Sequence, residues 1–265
     1  MKNNISTSNK VYDDLVKFAI KSSKEKNILP NRYVFVLTNL CNLKCSFCFQ
    51  ERKKRADRME ENDWLKLLDQ IPENSRITMT GGEPLVYKGF ENIFKKANKK
   101  NSTNIVTNGV LLNSEIIDLF LKEKNFKILG VSIDEIGGEN RDFKKNQWED
   151  LVKNLNKFIE KRNSLNHLSS LDIKSVVLEE NINNLYELHR YACEKMHCDT
   201  HSLQLLKGAE IQHSDIMFDF KDINKDYEAY QYKNLNGLLN QLEKIRLYNL
   251  ENNKRAYLHP NFFSL

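Results

Sequence analysis

No apolar run in this 265-residue chain approaches the roughly 18 residues needed to cross a bilayer, and the polar start Met1-Lys2-Asn3-Asn4 lacks the hydrophobic stretch of a secretory signal. Those absences argue against a membrane span and against export, and the expectation is a cytoplasmic protein with no membrane partner. An excess of one charge is also missing, since 41 basic and 36 acidic side chains are mixed along the chain for a formal net charge of +5. The densest basic run, Arg52-Lys53-Lys54-Arg55, is followed at once by Asp57, Glu60, Glu61 and Asp63. It reads as a solvated face, and no nucleic-acid partner is expected. No histidine precedes His167 and no cysteine follows Cys198. Five cysteines is an odd number, and three of them, Cys41, Cys45 and Cys48, fall within eight residues. That is a poor disulfide framework but a reasonable set of thiolate ligands in a reducing compartment.

What is present is a regular alternation of elements, with 40% hydrophobic residues to fill one sizeable core. Helical spacing over 11–26 predicts a short leading helix that stops at Leu29-Pro30, and Tyr33 to Thr38 reads as a buried first strand. Asn62 or Asp63 is placed to cap a helix bearing Trp64, Leu65, Leu67 and Leu68, which leads to a second strand, Arg76–Thr80. Further helices are expected at Phe90–Lys100, Ser114–Glu123, Gln147–Leu165 and from Asn181 or Asn183 onward. They alternate with strands at Asn104–Thr107, Lys127–Ile133, Leu171–Leu178 and His201–Leu206. A final helix is expected over Tyr227–Leu250 with Leu235, Leu238, Leu239, Leu242 and Ile245 on its buried side. Six such alternations imply parallel strands with helical crossovers, either a doubly wound sheet or a partial (β/α) barrel. In both, the loops after the strands share one rim, where α/β folds place their sites.

Four polar motifs follow strands in this way: the cysteines, Gly81-Gly82-Glu83-Pro84, Thr107-Asn108-Gly109 and Ser132 with Asp134. The spacing C-x3-C-x2-C suits a soft metal. Zinc would want a fourth ligand, while an iron–sulfur cluster could take three thiolates and leave one iron open. Cys193 and Cys198 sit on and just after a helix at the opposite end from the rim and read as free thiols.

The ordered set Cys41-x3-Cys45-x-Phe47-Cys48, Gly81-Gly82-Glu83-Pro84, Thr107-Asn108-Gly109 and Val131-Ser132-Ile133-Asp134 resembles the radical S-adenosylmethionine (radical SAM) superfamily over about Tyr33 to Gly208. The likeness is to the SPASM and molybdenum-cofactor-cyclase branch, without that branch's C-terminal auxiliary-cluster cysteines. The resemblance implies an α/β fold, a partial (β/α)6 TIM-like barrel. The expected division is 1–30 as an N-terminal helix and lead-in, 31–208 as the radical SAM core and 209–265 as a C-terminal extension closing the barrel. It implies a [4Fe-4S] cluster on Cys41, Cys45 and Cys48, with S-adenosyl-L-methionine chelating the open iron. An enzyme of this kind cleaves the sulfonium reductively to a 5′-deoxyadenosyl radical, which abstracts hydrogen from substrate; the cofactors carry the hard chemistry.

By the same resemblance Phe47 packs near the adenine, and Gly81 and Gly82 let the backbone approach the methionine part. Glu83 accepts from its ammonium group. Ser132 and Asp134 are candidates for the ribose hydroxyls, with Ser132 preferred. Asn108 lines the nucleoside or the substrate, or is simply a turn residue, and Leu205 or Leu206 covers the adenine or serves as core. The expected partners are a small-molecule or peptide substrate and an electron donor such as flavodoxin or ferredoxin. The substrate is expected to meet 209–215 and 257–263, where His213 and Asp215 suggest proton transfer or, preferably, surface hydrogen bonding. Thr78 stands where the cyclases have a nucleotide-binding arginine, which argues against that activity. The rival readings are a zinc-binding or scaffold protein and a truncated peptide-modifying enzyme.

Overall fold

β-Branched runs alternating with amphipathic segments form seven strands and six α-helices in a computed structural model that describes residues 29–48, 59–144, 146–205, 232–254 and 256–258. The strands are β1 (Arg32–Val36), β2 (Arg76–Thr80), β3 (Ser102–Thr107), β4 (Phe126–Ser132), β5 (Ser170–Val177), β6 (Thr200–Leu205) and β7 (Ala256–Leu258). The helices are α1 (Glu61–Gln70), α2 (Phe90–Asn98), α3 (Ser114–Lys122), α4 (Gln147–Ser164), α5 (Leu185–Glu194) and α6 (Leu235–Asn252). Among the described residues one α-helix lies between each strand and the next. The sheet order is β1-β2-β3-β4-β5-β6-β7 with every pair parallel. This is the open, partial TIM-like barrel expected, lengthened by a seventh strand that the sequence reading had not separated from the C-terminal extension.

Alternate strand residues divide the two faces. Phe35, Ile77, Met79, Ile105, Leu129, Val131, Leu171 and Ile173 point to the helices and are buried in the main core. Phe35 stacks at 4.7 Å on Trp64 of α1. Beneath β3 and β4, Phe94 lies 5.2 Å from Phe120 and 5.7 Å from Phe126, and Phe126 lies 4.9 Å from Phe120, all between ring centroids. A second core of Val177, Ile182, Leu185, Leu203, Leu238 and Ile245 docks α6 on the sheet. Cys193 and Cys198 are buried free thiols, as expected, with Cys193 Sγ 3.8 Å from the His189 ring.

Several local expectations change. Asn62 and Asp63 lie inside α1, whose N-cap is Glu60 with no side-chain cap; Glu61 and Asp63 in the first turn meet the positive helix end instead. Neither Asn181 nor Asn183 caps α5, because Asn184 precedes it and Asn181 bonds elsewhere, as described below. The last helix begins at Leu235, and Leu235 and Leu239 are exposed, since α6 meets the sheet through Leu238, Gln241 and Ile245. Leu205 packs against the α6 core. Leu206, the leading helix at 11–26, 209–215 and 259–263 lie outside the described residues.

Truncating the ring at the centre of the aromatic cluster, Phe94→Ala, should cost about 3–5 kcal/mol, read as a lowered urea midpoint with the helical signal retained at zero denaturant.

Candidate functional site

The loop after β1 is tied to the loop after β2 by backbone alone. Leu37 N–H donates to Thr80 O at 2.9 Å, Gly82 N–H to Thr38 O at 2.7 Å and Glu83 N–H to Leu40 O at 2.8 Å. The glycines are there because the chains touch. A Cβ on Gly81, whose φ is +147°, would stand 2.3 Å from Thr38 O, and one on Gly82 2.3 Å from Leu40 O. The close approach they permit is therefore to the strand-end loop that runs into Cys41.

Glu83 has no exposed surface. Its Oε1 accepts from Leu85 N–H at 3.0 Å and Thr107 Oγ1 at 2.8 Å, and its Oε2 from Asn108 N–H at 2.7 Å. The side chain expected to receive an ammonium group is thus sealed in the interior and shared among protein donors. Burial pushes its pKa up from the ordinary 4.5 to about 7, against the pull of those donors and of the Arg141 charge.

Asn108 carries the connection onward. It is buried, its Nδ2 donates to Asn42 Oδ1 at 2.7 Å and approaches Cys41 Sγ at 3.6 Å, and its Oδ1 accepts from Val110 N–H at 3.0 Å. Asn108 is thus a turn residue that also reaches the cysteine loop. Gly109, with φ +79°, turns the chain where a Cβ would strike Leu151 at 2.5 Å.

The cysteine loop is anchored by buried Leu43 and leaves all three thiols half-buried. Leu43 N–H donates to Cys41 Sγ at 3.4 Å, Cys48 N–H donates to Cys45 O at 3.2 Å, and the Cys45 thiol donates to Arg141 O at 3.8 Å. Among the described residues no three His, Cys, Asp or Glu side chains converge on one point that could hold a single ion. The donor set fits a cluster better than one ion: three free thiols in one loop take separate irons, and amide N–H groups are directed at a sulfur.

After β4, Ser132 is partly exposed on the rim, whereas Asp134 is buried. Asp134 Oδ1 accepts from Val176 N–H at 2.7 Å, its backbone O accepts from Asn181 Nδ2 at 3.0 Å, and its Oδ2 lies 2.7 Å from Arg141 Nε. Asp134, a candidate for the ribose hydroxyls, thus has its carboxylate buried against Val176 and Arg141. Burial pushes this carboxyl up while the Arg141 charge and the Val176 N–H pull it down. The Arg141 guanidinium lies 5.3 Å over the Phe47 ring. Arg141, Asn42 and Asn181 were missed in sequence.

Because folded Glu83 holds its proton where the unfolded chain has lost it, the native state binds more protons between pH 4.5 and about 7, and stability falls as pH rises through that window. Thermal midpoints measured from pH 5 to pH 8 should decline, and Glu83→Gln, neutral throughout, should flatten the slope.

The Radical SAM superfamily model matches residues 35–192. The antilisterial bacteriocin subtilosin biosynthesis protein AlbA of Bacillus subtilis is 31% identical over 118 residues, which cover 43% of this chain and 26% of that protein. GTP 3',8-cyclase of Clostridium perfringens is 29% identical over 176 residues, covering 60% of this chain and 50% of the cyclase. The solved structure of Streptococcus suis SuiB bound to S-adenosylmethionine superposes with a TM-score of 0.64 at 18% identity, over 93% of this chain and 54% of SuiB, a likeness of fold. The chain spans half or less of the two curated relatives and about half of SuiB. With the family model covering more than half of its residues, the chain belongs to the radical SAM superfamily, whose enzymes bind a [4Fe-4S] cluster and S-adenosylmethionine.

Proposed function

We propose that this chain is a radical SAM enzyme acting on a peptide or small molecule, with Cys41, Cys45 and Cys48 as cluster ligands. The observation that carries the reading is the strapping of three rim loops to one another through Gly82, Glu83 and Asn108, which fixes the half-buried thiols at the mouth of the barrel. When bound, the cluster and S-adenosylmethionine would supply reductive C–S cleavage and hydrogen abstraction.

The protein's own part is positioning. The partly exposed backbone at Gly81 and Gly82, the Phe47 ring and the Ser132 hydroxyl are candidate contacts to S-adenosylmethionine, with Asn108 holding the first cysteine in place. Glu83 and Asp134 brace the rim from the interior and are proposed, with these, as candidates for the ammonium group and the ribose hydroxyls. We assign 1–30 to a lead-in, 31–208 to the core and 209–265 to an extension beside the barrel. The names of several relatives speak of peptides, including subtilosin biosynthesis protein AlbA, sporulation killing factor maturation protein SkfB and PqqA peptide cyclase, and this favours a peptide substrate here. A flavodoxin or ferredoxin is the proposed electron donor. No helix among the described residues is long and apolar enough to cross a membrane.

Anaerobic reconstitution with iron and sulfide, followed by dithionite and S-adenosylmethionine, should yield 5′-deoxyadenosine, and Cys45→Ala should abolish it; product from the alanine variant equal to wild type would sink the assignment. Gly82→Ala, placing a methyl 2.3 Å from Leu40 O, should lose most of the bound iron by chemical analysis while keeping the helical circular-dichroism signal.

A further inference from the structure

The cation beside the cysteine loop has no role in the motifs. Arg141 ends a short 3-10 turn, Glu139–Arg141, set between two left-handed residues, Gly138 at φ +77° and Asp142 at φ +59°. Phe143 pins this turn, since a Cβ on Gly138 would meet its ring at 2.4 Å. The Arg141 side chain is 12% exposed, and the Asp134 side chain paired with it is fully buried. The pair is oriented. The carboxylate faces the Val176 N–H of β5, and the guanidinium lies 5.3 Å over Phe47, the residue between Cys45 and Cys48.

The Cys45 thiol, which donates to Arg141 O, stands for the thiolate that an iron would bind. Deprotonation ends that donation. The contact that survives it is the guanidinium over the Phe47 ring. A positive charge fixed there lies next to a loop that would gain one unit of negative charge when its cluster is reduced. Asp134, 2.7 Å from Arg141 Nε, cancels part of that charge. Lys44, on the same loop, is solvent-exposed and screened.

We infer that Arg141 is a positioning residue that holds Phe47 and sets the electron affinity of the cluster bound by Cys41, Cys45 and Cys48, an assignment that rests on the proposed cofactor reading. The guanidinium makes the added electron more favourable, so its removal drives the reduction potential more negative. Holding Phe47 requires the planar group. The charge effect requires only a cation.

Wild type, Arg141→Gln and Arg141→Lys are to be reconstituted anaerobically, analysed for iron and sulfide, and titrated electrochemically with detection of the reduced cluster by electron paramagnetic resonance. Arg141→Gln should bind the electron about tenfold more weakly, a shift of about 59 mV to the negative side for one electron. Arg141→Lys should stay near the wild-type potential while losing the ring contact. A glutamine variant with full cluster content and an unshifted potential overturns the inference. Should the glutamine variant assemble poorly, Arg141→Met, neutral and of similar length, decides: a midpoint lowered about tenfold supports the charge effect, and a wild-type midpoint overturns it. A wild-type chain that gives no [4Fe-4S] signal overturns the cofactor reading, and this inference with it.

Discussion

A carboxylate excluded from water must be met by donors or give up its charge, and that requirement at Glu83 organises the rim. Its donors come from two places in the chain: the turn after β2, through Leu85 N–H, and the end of β3, through Thr107 and Asn108. Its own backbone N–H belongs to a third, the Leu40 carbonyl beside the first cysteine. Movement of any one loop would therefore strand a buried polar group belonging to another. The same logic recurs on the far side of the site at Asp134, which joins the end of β4 to Val176 of β5, to Asn181 and to Arg141. Two interior carboxylates thus flank the cysteine loop, one reaching it through Asn108 and Asn42 and the other through Arg141 and Phe47.

This arrangement separates two tasks that a motif runs together. Gly81-Gly82-Glu83 looks like one recognition element, yet its glycines are dictated by contact with the Thr38–Leu40 backbone and its glutamate by interior hydrogen bonding. The backbone of the turn at Gly81 and Gly82 is partly exposed. Similarly, Ser132 and Asp134 share a strand face by alternation, but one is open to the rim and the other sealed beneath it.

The alternation of strands and helices was legible because apolar periodicity is a local property, and β2 was placed to the residue. The convergence of the four motifs was legible for a topological reason, as parallel strands put their C-terminal ends on one side. The helix start at Glu61, the short β7 and the exposure of Leu239 were not, because each is decided by what lies across a packing contact. The roles of Glu83, Asp134 and Arg141 were hidden for the same reason. Their partners are 24, 42 and 94 residues away, at Thr107, Val176 and Phe47, and no local pattern marks such pairs.

The strand order has a consequence for how the molecule is made. Each strand pairs with the one that follows it in the chain, so the sheet can grow from the N-terminal end as the polypeptide emerges, without waiting for a distant partner. The cysteine loop belongs to the first unit, its glycine clamp to the second, Asn108 to the third and Arg141 to the connection after the fourth strand. The residues that touch the loop after β1 from elsewhere, Gly82, Glu83, Asn108 and Arg141, thus all precede β5, and the later strands are laid against them.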